Sequence, residues 1–172
     1  MTWILFSILA ALSWAIVHIL DKIILTKLIK NPVISLLFLG IIGLIISFFV
    51  YLFYGFSELS YFNILLSFIA SICYVLMIYF YFKATQLEEI SRVVSFFRIT
   101  PLFVLIFSIF LFNEIFSFSK YLGIILLIAG SILISLKRSV KLTFGKSFWF
   151  IIIAAIVFAI NTIITKYLLN FA

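Results

Sequence analysis

Apolar residues occur along this chain in long uninterrupted runs, and short polar segments separate one run from the next. Runs of about 17 to 25 apolar residues have the length of a helix that crosses a hydrocarbon core of roughly 30 Å. The pattern therefore predicts six transmembrane helices, with ends placed to within about two to four residues. The predicted spans are residues 3–26, 33–54, 61–82, 90–112, 118–136 and 148–170.

The segments between the runs contain residues that end or begin helices. Pro32 follows Lys30 and Asn31 between the first two runs, and proline suits the first turn of a helix because its missing amide hydrogen is not needed there. The charged stretch from Lys83 to Arg92 is predicted to mark the start of the fourth helix. Membrane β-strands need about 9 to 11 residues with strict alternation, which these runs lack. The fold class is predicted to be all-α, a polytopic helix bundle.

Composition agrees with this fold class, since 67% of the residues are hydrophobic and only 10% are charged. Soluble domains are closer to half apolar. The polar segments are too short for a separate soluble domain. We therefore expect one integral, multi-pass domain in the cell membrane.

The charge balance of 12 basic against 5 acidic residues is interpreted as membrane topology and not as nucleic-acid binding. Basic residues gather on the cytoplasmic side of membrane proteins. Most of them lie in or near the loops after helices one, three and five, which places those loops in the cytoplasm and the amino terminus outside. These residues are Lys27, Lys30, Lys83, Lys137, Arg138, Lys141 and Lys146.

An internal repeat relates the first predicted helix to the last. The segment ILAALSWAIVHILDKIIL at 8–25 aligns without gaps with IIAAIVFAINTIITKYLL at 152–169. Its matches pair Ala10 with Ala154, Ala11 with Ala155, Ala15 with Ala159, Trp14 with Phe158 and Lys22 with Lys166. Because five helices lie between the two starts, the second unit begins on the opposite side of the membrane. Inverted repeats of this kind are typical of secondary transporters.

Three stretches carry a resemblance to a known family. They are the opening LSWAIVHILDKIIL followed by Asn31-Pro32, the segment YFYFKA at 79–84, and the segment at 101–134. The last has a proline inside helix four, a glutamate that closes this helix, and two glycines in helix five; these are Pro101, Glu114, Gly123 and Gly130. In order and spacing the chain resembles the EamA-type proteins of the drug/metabolite transporter superfamily.

The resemblance implies a division of the chain, because these proteins consist of two five-helix units. Residues 1–136 would be the first repeat, residues 137–147 a basic cytoplasmic loop, and residues 148–172 the first helix of a second, incomplete and inverted repeat. Two departures are that helix two lacks the family's arginine and that Ala15 follows Trp14 where a glycine is common. The chain is expected to be either truncated after its sixth helix or a six-helix protein that dimerises.

Arg98 is the main candidate for contact with a substrate. A charged group at the centre of a membrane helix costs about 2.5 to 3.5 kcal/mol on insertion scales, so such groups are functional candidates. Arg98 stands three residues before Pro101, which frees a backbone carbonyl and can bend the helix. Two interpretations stay open: a cavity-lining residue for an anionic or polar substrate, or a side chain that snorkels to the interface.

Pro101 is a substrate-pathway candidate with Arg98, and five further residues belong to the same group. His18 and Lys22 share a face of the first helix at a spacing of four, and a histidine can relay protons or simply be hydrogen-bonded in the packing. Lys22 and its repeat mate Lys166 either face a central cavity or do not. Trp14 and Asn161 complete the set.

A second group is expected to be structural or gating. Glu88 and Arg92 have the spacing of an intrahelical ion pair at the mouth of helix four, and the alternative is that they simply form a solvated helix start. Glu114 either anchors its helix at the interface or makes a gating contact. Gly123 and Gly130 are interpreted as positions of close helix packing, where small side chains are common in membranes.

The resemblance implies a secondary transporter that moves a small metabolite or drug-like solute, and not an enzyme. Alternatives are a lipid-carrier flippase subunit and a membrane-embedded lipid enzyme, although the acidic residues, the one histidine and Cys73 form no evident catalytic cluster. We expect no metal or cofactor. The expected partners are a small-molecule substrate, the bilayer, and a second copy or a missing C-terminal half, because Asn161, Thr162 and Lys166 would otherwise face lipid.

The topology can be tested at the predicted cytoplasmic loop. If the residues from Lys137 to Lys146 lie in the cytoplasm, a cysteine at position 139 in the variant Ser139→Cys is shielded from an impermeant thiol reagent added to intact cells. Labelling from outside the cells would contradict the orientation.

Overall fold

The computed structural model describes residues 2–55, 60–136 and 145–171, and these residues are almost entirely helical. The predicted basic loop lies mostly at 137–144, outside the described residues. The helices are α1 (Thr2–Ile23, continued by the π-helical turn Ile24–Leu28), α2 (Pro32–Tyr54), α3 (Tyr61–Leu87), α4 (Ile90–Phe97), α5 (Thr100–Phe112), α6 (Phe118–Leu136) and α7 (Lys146–Phe171).

Within the described residues, five helical stretches are long and apolar enough to cross a membrane, and α6 adds a shorter apolar stretch, Phe118–Leu133. Counting α4 and α5 as one interrupted span, the bundle has the six predicted helices. The five longer stretches are Ile4–Leu28, Pro32–Tyr54, Tyr61–Leu87, Ile90–Phe112 and Lys146–Leu169. The predicted all-α membrane fold is confirmed.

Local sequence signals set where several helices begin. Asn31 accepts a hydrogen bond from the amide of Val33 at 3.0 Å, with Pro32 in the first turn of α2. Ser60 accepts from the amide of Asn63 at 3.3 Å at the start of α3. Side chains at these positions satisfy amides that have no partner inside the helix.

The third helix is longer than predicted, because it continues past residue 82 to Leu87. Its last turns contain the buried residues Ala84 and Thr85, both 0% exposed. Lys83 therefore lies within the last turns of α3. The prediction that Lys83 begins the charged segment between helices three and four was wrong. Burial against neighbouring helices, which hydropathy does not report, extends the helix.

The fourth predicted helix is interrupted in the membrane at Arg98 and Ile99. Pro101 has no amide hydrogen, so the carbonyl of Phe97 four residues earlier loses its helical donor. The hydroxyl of Thr100 donates to this carbonyl at 2.6 Å. The break is thus stabilised locally, as a membrane requires, because a backbone group without a partner is costly in lipid.

Helix α7 lies at the centre of the bundle, where it packs along α3 and also contacts α4 and α5. Its small residues Ala154, Ala155 and Ala159 are all 0% exposed. Small side chains allow helix backbones to approach closely, and close van der Waals packing drives helix association in lipid. The pair α3 and α7 is therefore the core of the fold.

The expectation that the last helix lacks partners within this chain is wrong. The side-chain amide of Asn161 donates to the carbonyl of Ala70 on α3 at 2.7 Å, and the Thr162 hydroxyl donates to the carbonyl of Phe158 at 2.8 Å. Lys166 forms an ion pair with Glu114. Asn161 and Lys166 thus find partners on other elements of this chain, and Thr162 finds one on its own helix.

The expected close packing at Gly123 and Gly130 is not found within the described part of the chain. A Cβ atom added at either glycine would meet nothing within 4 Å beyond the neighbouring backbone of its own helix. Both glycines lie on α6, and Gly123 faces a cavity that is described below.

The chain direction alternates from helix to helix, and this defines two ends of the bundle. At the basic end, α1 and α3 finish while α2, α4 and α7 begin. At the opposite end, α5 finishes and α6 begins. The described cations near the basic end are Lys22, Lys27, Lys30, Lys83, Arg92 and Lys146, and those near the opposite end are Lys120 and Lys166.

The alanine face of α7 can be tested against its repeat mate on α1. Ala155→Leu adds volume at a fully buried contact, which costs about 1 to 3 kcal/mol, whereas the aligned Ala11 is exposed. We expect Ala155→Leu to lower the thermal unfolding temperature in detergent and Ala11→Leu to leave it unchanged. Equal shifts in the two variants would contradict this packing.

Candidate functional site

A cavity of about 470 Å³ opens between α1, α3, α4 and α7 on the basic-end side of the bundle centre. We call it the basic-end chamber. Most of its wall is aromatic or aliphatic, and the helix faces that form it also bring several polar side chains together. These include Trp14, His18, Asp21, Tyr74, Tyr81 and Arg98.

A second cavity of about 680 Å³ lies between α5, α6 and α7, on the other side of the bundle centre. We call it the opposite-end chamber. Apolar residues such as Val104 and Leu105 form most of its wall, with polar groups at Thr162 and Lys120. Pro101 also lines it, directly after the helix break.

The side chain of His18 is fixed on the wall of the basic-end chamber by aromatic neighbours. The Tyr81 hydroxyl oxygen lies 2.6 Å from His18 Nδ1, within hydrogen-bonding distance. The ring centroid of His18 lies 5.7 Å from that of Trp14 and 5.6 Å from that of Tyr81. His18 is therefore hydrogen-bonded in the packing and also lines a chamber, while its role as a proton relay stays a prediction.

Sequence reasoning missed three polar residues of this wall as site candidates: Asp21, Tyr74 and Tyr81. A signal for Asp21 existed, because Trp14, His18 and Asp21 recur at spacings of four and three and therefore share one helix face. Tyr74 and Tyr81 are seven residues apart, which also gives one face. Residue spacing could not show that this face of α1 and this face of α3 pack against each other.

Arg98 lines both chambers. It directly follows the last residue of α4, and its backbone amide donates to the carbonyls of Val94 and Ser95 at 3.3 and 3.2 Å. Its side chain is exposed, and among the described residues its guanidinium group has no hydrogen-bond or ion-pair partner. Five donors are therefore available to a ligand from either chamber.

Lys22 was a substrate-pathway candidate, but the structure gives it a contact between two helices. Its ammonium group donates to the carbonyls of Thr85 at 2.5 Å and Glu88 at 2.8 Å. These carbonyls belong to the end of α3, where a cation satisfies free acceptors and interacts favourably with the helix dipole. Lys22 thus binds α1 to α3 at the basic end and lines neither chamber.

Lys166 likewise lines neither chamber, so the pair of repeat-related lysines does not face a shared cavity. Its ammonium group pairs with Glu114 Oε1 and lies 5.1 Å from the ring centroid of Phe112. Glu114 follows Asn113, whose left-handed backbone with φ of 50° ends α5. The contact therefore ties α7 to the end of α5 at the opposite end.

The remaining candidates have structural positions. Asn161 bonds to α3, as described above, and lies outside both chambers. The predicted pair of Arg92 and Glu88 is present, with an N–O distance of 3.1 Å. Because Glu88 caps α3 and Arg92 belongs to α4, the pair spans the turn between two helices and is not the intrahelical pair expected.

The EamA-like transporter family model matches residues 1–136. The chain belongs to the EamA-like transporter family. This EamA-like chain is accordingly a membrane protein of a transporter family, and its resemblance to the drug/metabolite transporter superfamily is confirmed. No curated protein and no solved structure matches it. The division into a first repeat, a loop and an incomplete second repeat stays a prediction.

No group of three or more His, Cys, Asp or Glu side chains that could hold a metal ion occurs in the described ranges of the EamA-like chain. Cys73 is half-buried on α3 and has a free thiol. The polar groups that the chambers offer are a cation at Arg98, a carboxyl group at Asp21, and hydroxyl, imidazole and indole groups on aromatic walls.

The ion pair of Lys166 and Glu114 can be tested with a double-mutant cycle. Glu114→Gln and Lys166→Met each remove the charge attraction, and residues in direct contact show coupling energies of about 0.5 to 3 kcal/mol. Because both side chains are partly exposed, we expect about 1 kcal/mol, measured by unfolding in detergent.

Lys120→Met is the matched control, because Lys120 also lies over a ring, that of Phe116 at 5.2 Å, and no described carboxylate pairs with it. Additive effects of Glu114→Gln and Lys166→Met would show that the contact between them does not stabilise the fold.

Proposed function

We propose that this EamA-like chain is a secondary transporter that moves a small metabolite or drug-like solute across the cytoplasmic membrane. Membership of a transporter family supports the general class. The sequence has no GxxxxGK[ST] run that would bind nucleotide phosphates. Movement would thus follow gradients of the solute or of a coupled ion, without ATP hydrolysis.

The observation that carries the proposal is the position of Arg98. A guanidinium group within a membrane span is expensive, and such groups usually pair with another residue or face a substrate pathway. No described residue pairs with this one, and it faces two chambers. Its fork of donors suits a carboxylate, phosphate or other polar group of a solute.

The two chambers fit the size of such a solute. Volumes of about 470 and 680 Å³ fall within the range of about 300 to 1,000 Å³ that is usual for small-molecule sites. Aromatic walls around Trp14 and Tyr81 would pack against an apolar body, while Arg98 would fix the polar group. A small amphiphilic solute with an anionic or polar group is the class that these features favour.

The partners in this proposal are the solute, the surrounding bilayer, and a second unit of inverted orientation. The repeat of the first helix in α7 supports the second unit, which either a second copy or further C-terminal helices would supply. Neither alternative function, a lipid-carrier flippase subunit or a lipid enzyme, is favoured by a feature of the chambers.

Replacement of Arg98 tests the proposal. Hydrogen bonds to charged groups contribute about 1.5 to 3 kcal/mol, and 1.4 kcal/mol is a factor of ten. We expect Arg98→Leu to reduce uptake of radiolabelled aromatic carboxylates, with benzoate as the reference probe, by at least about tenfold in proteoliposomes. Arg98→Lys should retain part of the uptake, because it keeps the charge but loses the fork.

Arg92→Leu is the matched control, because Arg92 lies on the same predicted span and outside both chambers. It should leave uptake unchanged once the amount of folded protein is equalised. If Arg98→Leu transports as well as the parent chain, Arg98 is a snorkelling residue and the proposed site is wrong.

A further inference from the structure

The two chambers share three wall residues, and these are the only ones common to both among the described lining residues: Phe97, Arg98 and Phe158. Everything else on the two walls differs. The partition between the chambers is therefore formed by a few side chains from α4 and α7, at the point where the interrupted span breaks.

The chambers extend from this partition toward different ends of the bundle. Val17 and Asp21 of the basic-end chamber lie in the second half of α1, which runs toward the basic end. On α7, Thr162 of the opposite-end chamber lies one turn beyond Phe158, away from the basic end. Lys120, at the start of α6, places that chamber near the opposite end.

The core of the partition is a pair of stacked rings. The ring centroids of Phe97 and Phe158 are 5.7 Å apart, and the ring planes differ by 26°. The ring of Tyr81 lies against Phe97 at 5.8 Å. One ring comes from the central helix α7 and the other from the final residue of α4.

The helix break gives the Phe97 side of the stack freedom to move. Phe97 is directly followed by Arg98 and Ile99, which separate α4 from α5. Pro101 has already removed the helical hydrogen bond across this point, and Thr100 replaces it with a bond from its own side chain. Small changes of angle between α4 and α5 therefore need not break a regular helical hydrogen bond.

We propose that the stacked rings of Phe97 and Phe158 are the central gate between the two chambers, and that Arg98 can hold the polar group of a solute from either side of this gate. The proposal rests on the transport function proposed above. With the rings stacked, a solute in one chamber is screened from the other. Separation of the rings joins the chambers past Arg98, and a single aromatic contact is weak enough to be broken in each cycle.

The gate can be tested by accessibility, which requires no solute. In a Cys73→Ser background, Val17→Cys places a thiol in the basic-end chamber and Val104→Cys places one in the opposite-end chamber. An anionic, impermeant methanethiosulfonate reagent is added to right-side-out and to inside-out vesicles, and the rate of modification is measured. We expect each thiol to react from one side only, and the two thiols to react from different sides.

Removal of the rings should connect the chambers. In Phe97→Ala/Phe158→Ala, we expect each thiol to react also from its formerly closed side, at a rate at least about tenfold higher than in the parent. The matched control is Phe80→Ala/Phe150→Ala, which removes a stacked pair at 6.0 Å and 28° between α3 and α7 that lines neither chamber. The control should keep the one-sided pattern.

Several outcomes would overturn the gate: both thiols react from the same side in the parent chain, the rates from the closed side do not rise without the rings, or the control pair has the same effect. If the double alanine variant does not fold, Phe97→Leu and Phe158→Leu retain most of the volume without the stack and must raise the rate in the same assay. If the parent chain transports solute but removal of the rings does not change thiol accessibility, the gate alone is refuted. If removal of the rings changes thiol accessibility but the parent chain shows no uptake, the transport function alone is refuted.

Discussion

The close contact between α3 and α7 positions the other helices of this bundle. In lipid, helices gain little from burying apolar surface against one another, since lipid tails are equally apolar, so association relies on dense packing and interhelical hydrogen bonds. The alanines of α7 supply the first and the bond from Asn161 to Ala70 supplies the second. With α7 fixed in the centre, the chambers form around it, and Phe158 belongs to the walls of both.

Lysines bind helix ends to one another at both ends of the bundle, whereas Arg98 stays available for a ligand. Lys22 binds the last carbonyls of α3 at the basic end, and Lys166 binds Glu114 at the opposite end. Arg92 is paired with Glu88. Among the described cations within or near the spans, Arg98 differs because it stands at mid-span beside two cavities and pairs with no described residue. Charges that hold helices together are thus separated in space from the charge that can bind a solute.

The interrupted span shows how a membrane protein places an irregular backbone at depth. Proline removes one hydrogen bond, and the neighbouring Thr100 hydroxyl replaces it within the same turn. Irregular backbone in a membrane is tolerated where protein or a cavity surrounds it, and here both chambers adjoin the break. The arrangement combines a satisfied backbone with a point at which α4 and α5 can change their angle, directly beside Arg98.

Hydropathy and motif spacing were enough to predict the membrane spans, the family and the charged residues that cost most to insert. Hydropathy suffices for spans because every backbone group in lipid must be bonded within its own helix, so each run of adequate length forms a helix whatever its neighbours are. Trp14, His18, Arg98 and Pro101 were predicted as pathway candidates on residue type and position, and all four line a chamber.

The packing of the helices, and not their sequence pattern, shows which helix faces meet. These helices are apolar nearly all round, so no stripe of hydrophobic residues indicates the face that packs against protein. For this reason the sequence placed Lys22, Asn161 and Lys166 in a pathway, whereas the fold gives each a partner on another element. Likewise Tyr81 became part of the site only because α3 turns it toward His18, and Phe97 and Phe158 form a partition because α7 packs beside the helix break. The spacing of residues along a helix fixes the direction of a side chain relative to its own axis, but long-range packing fixes what lies in that direction.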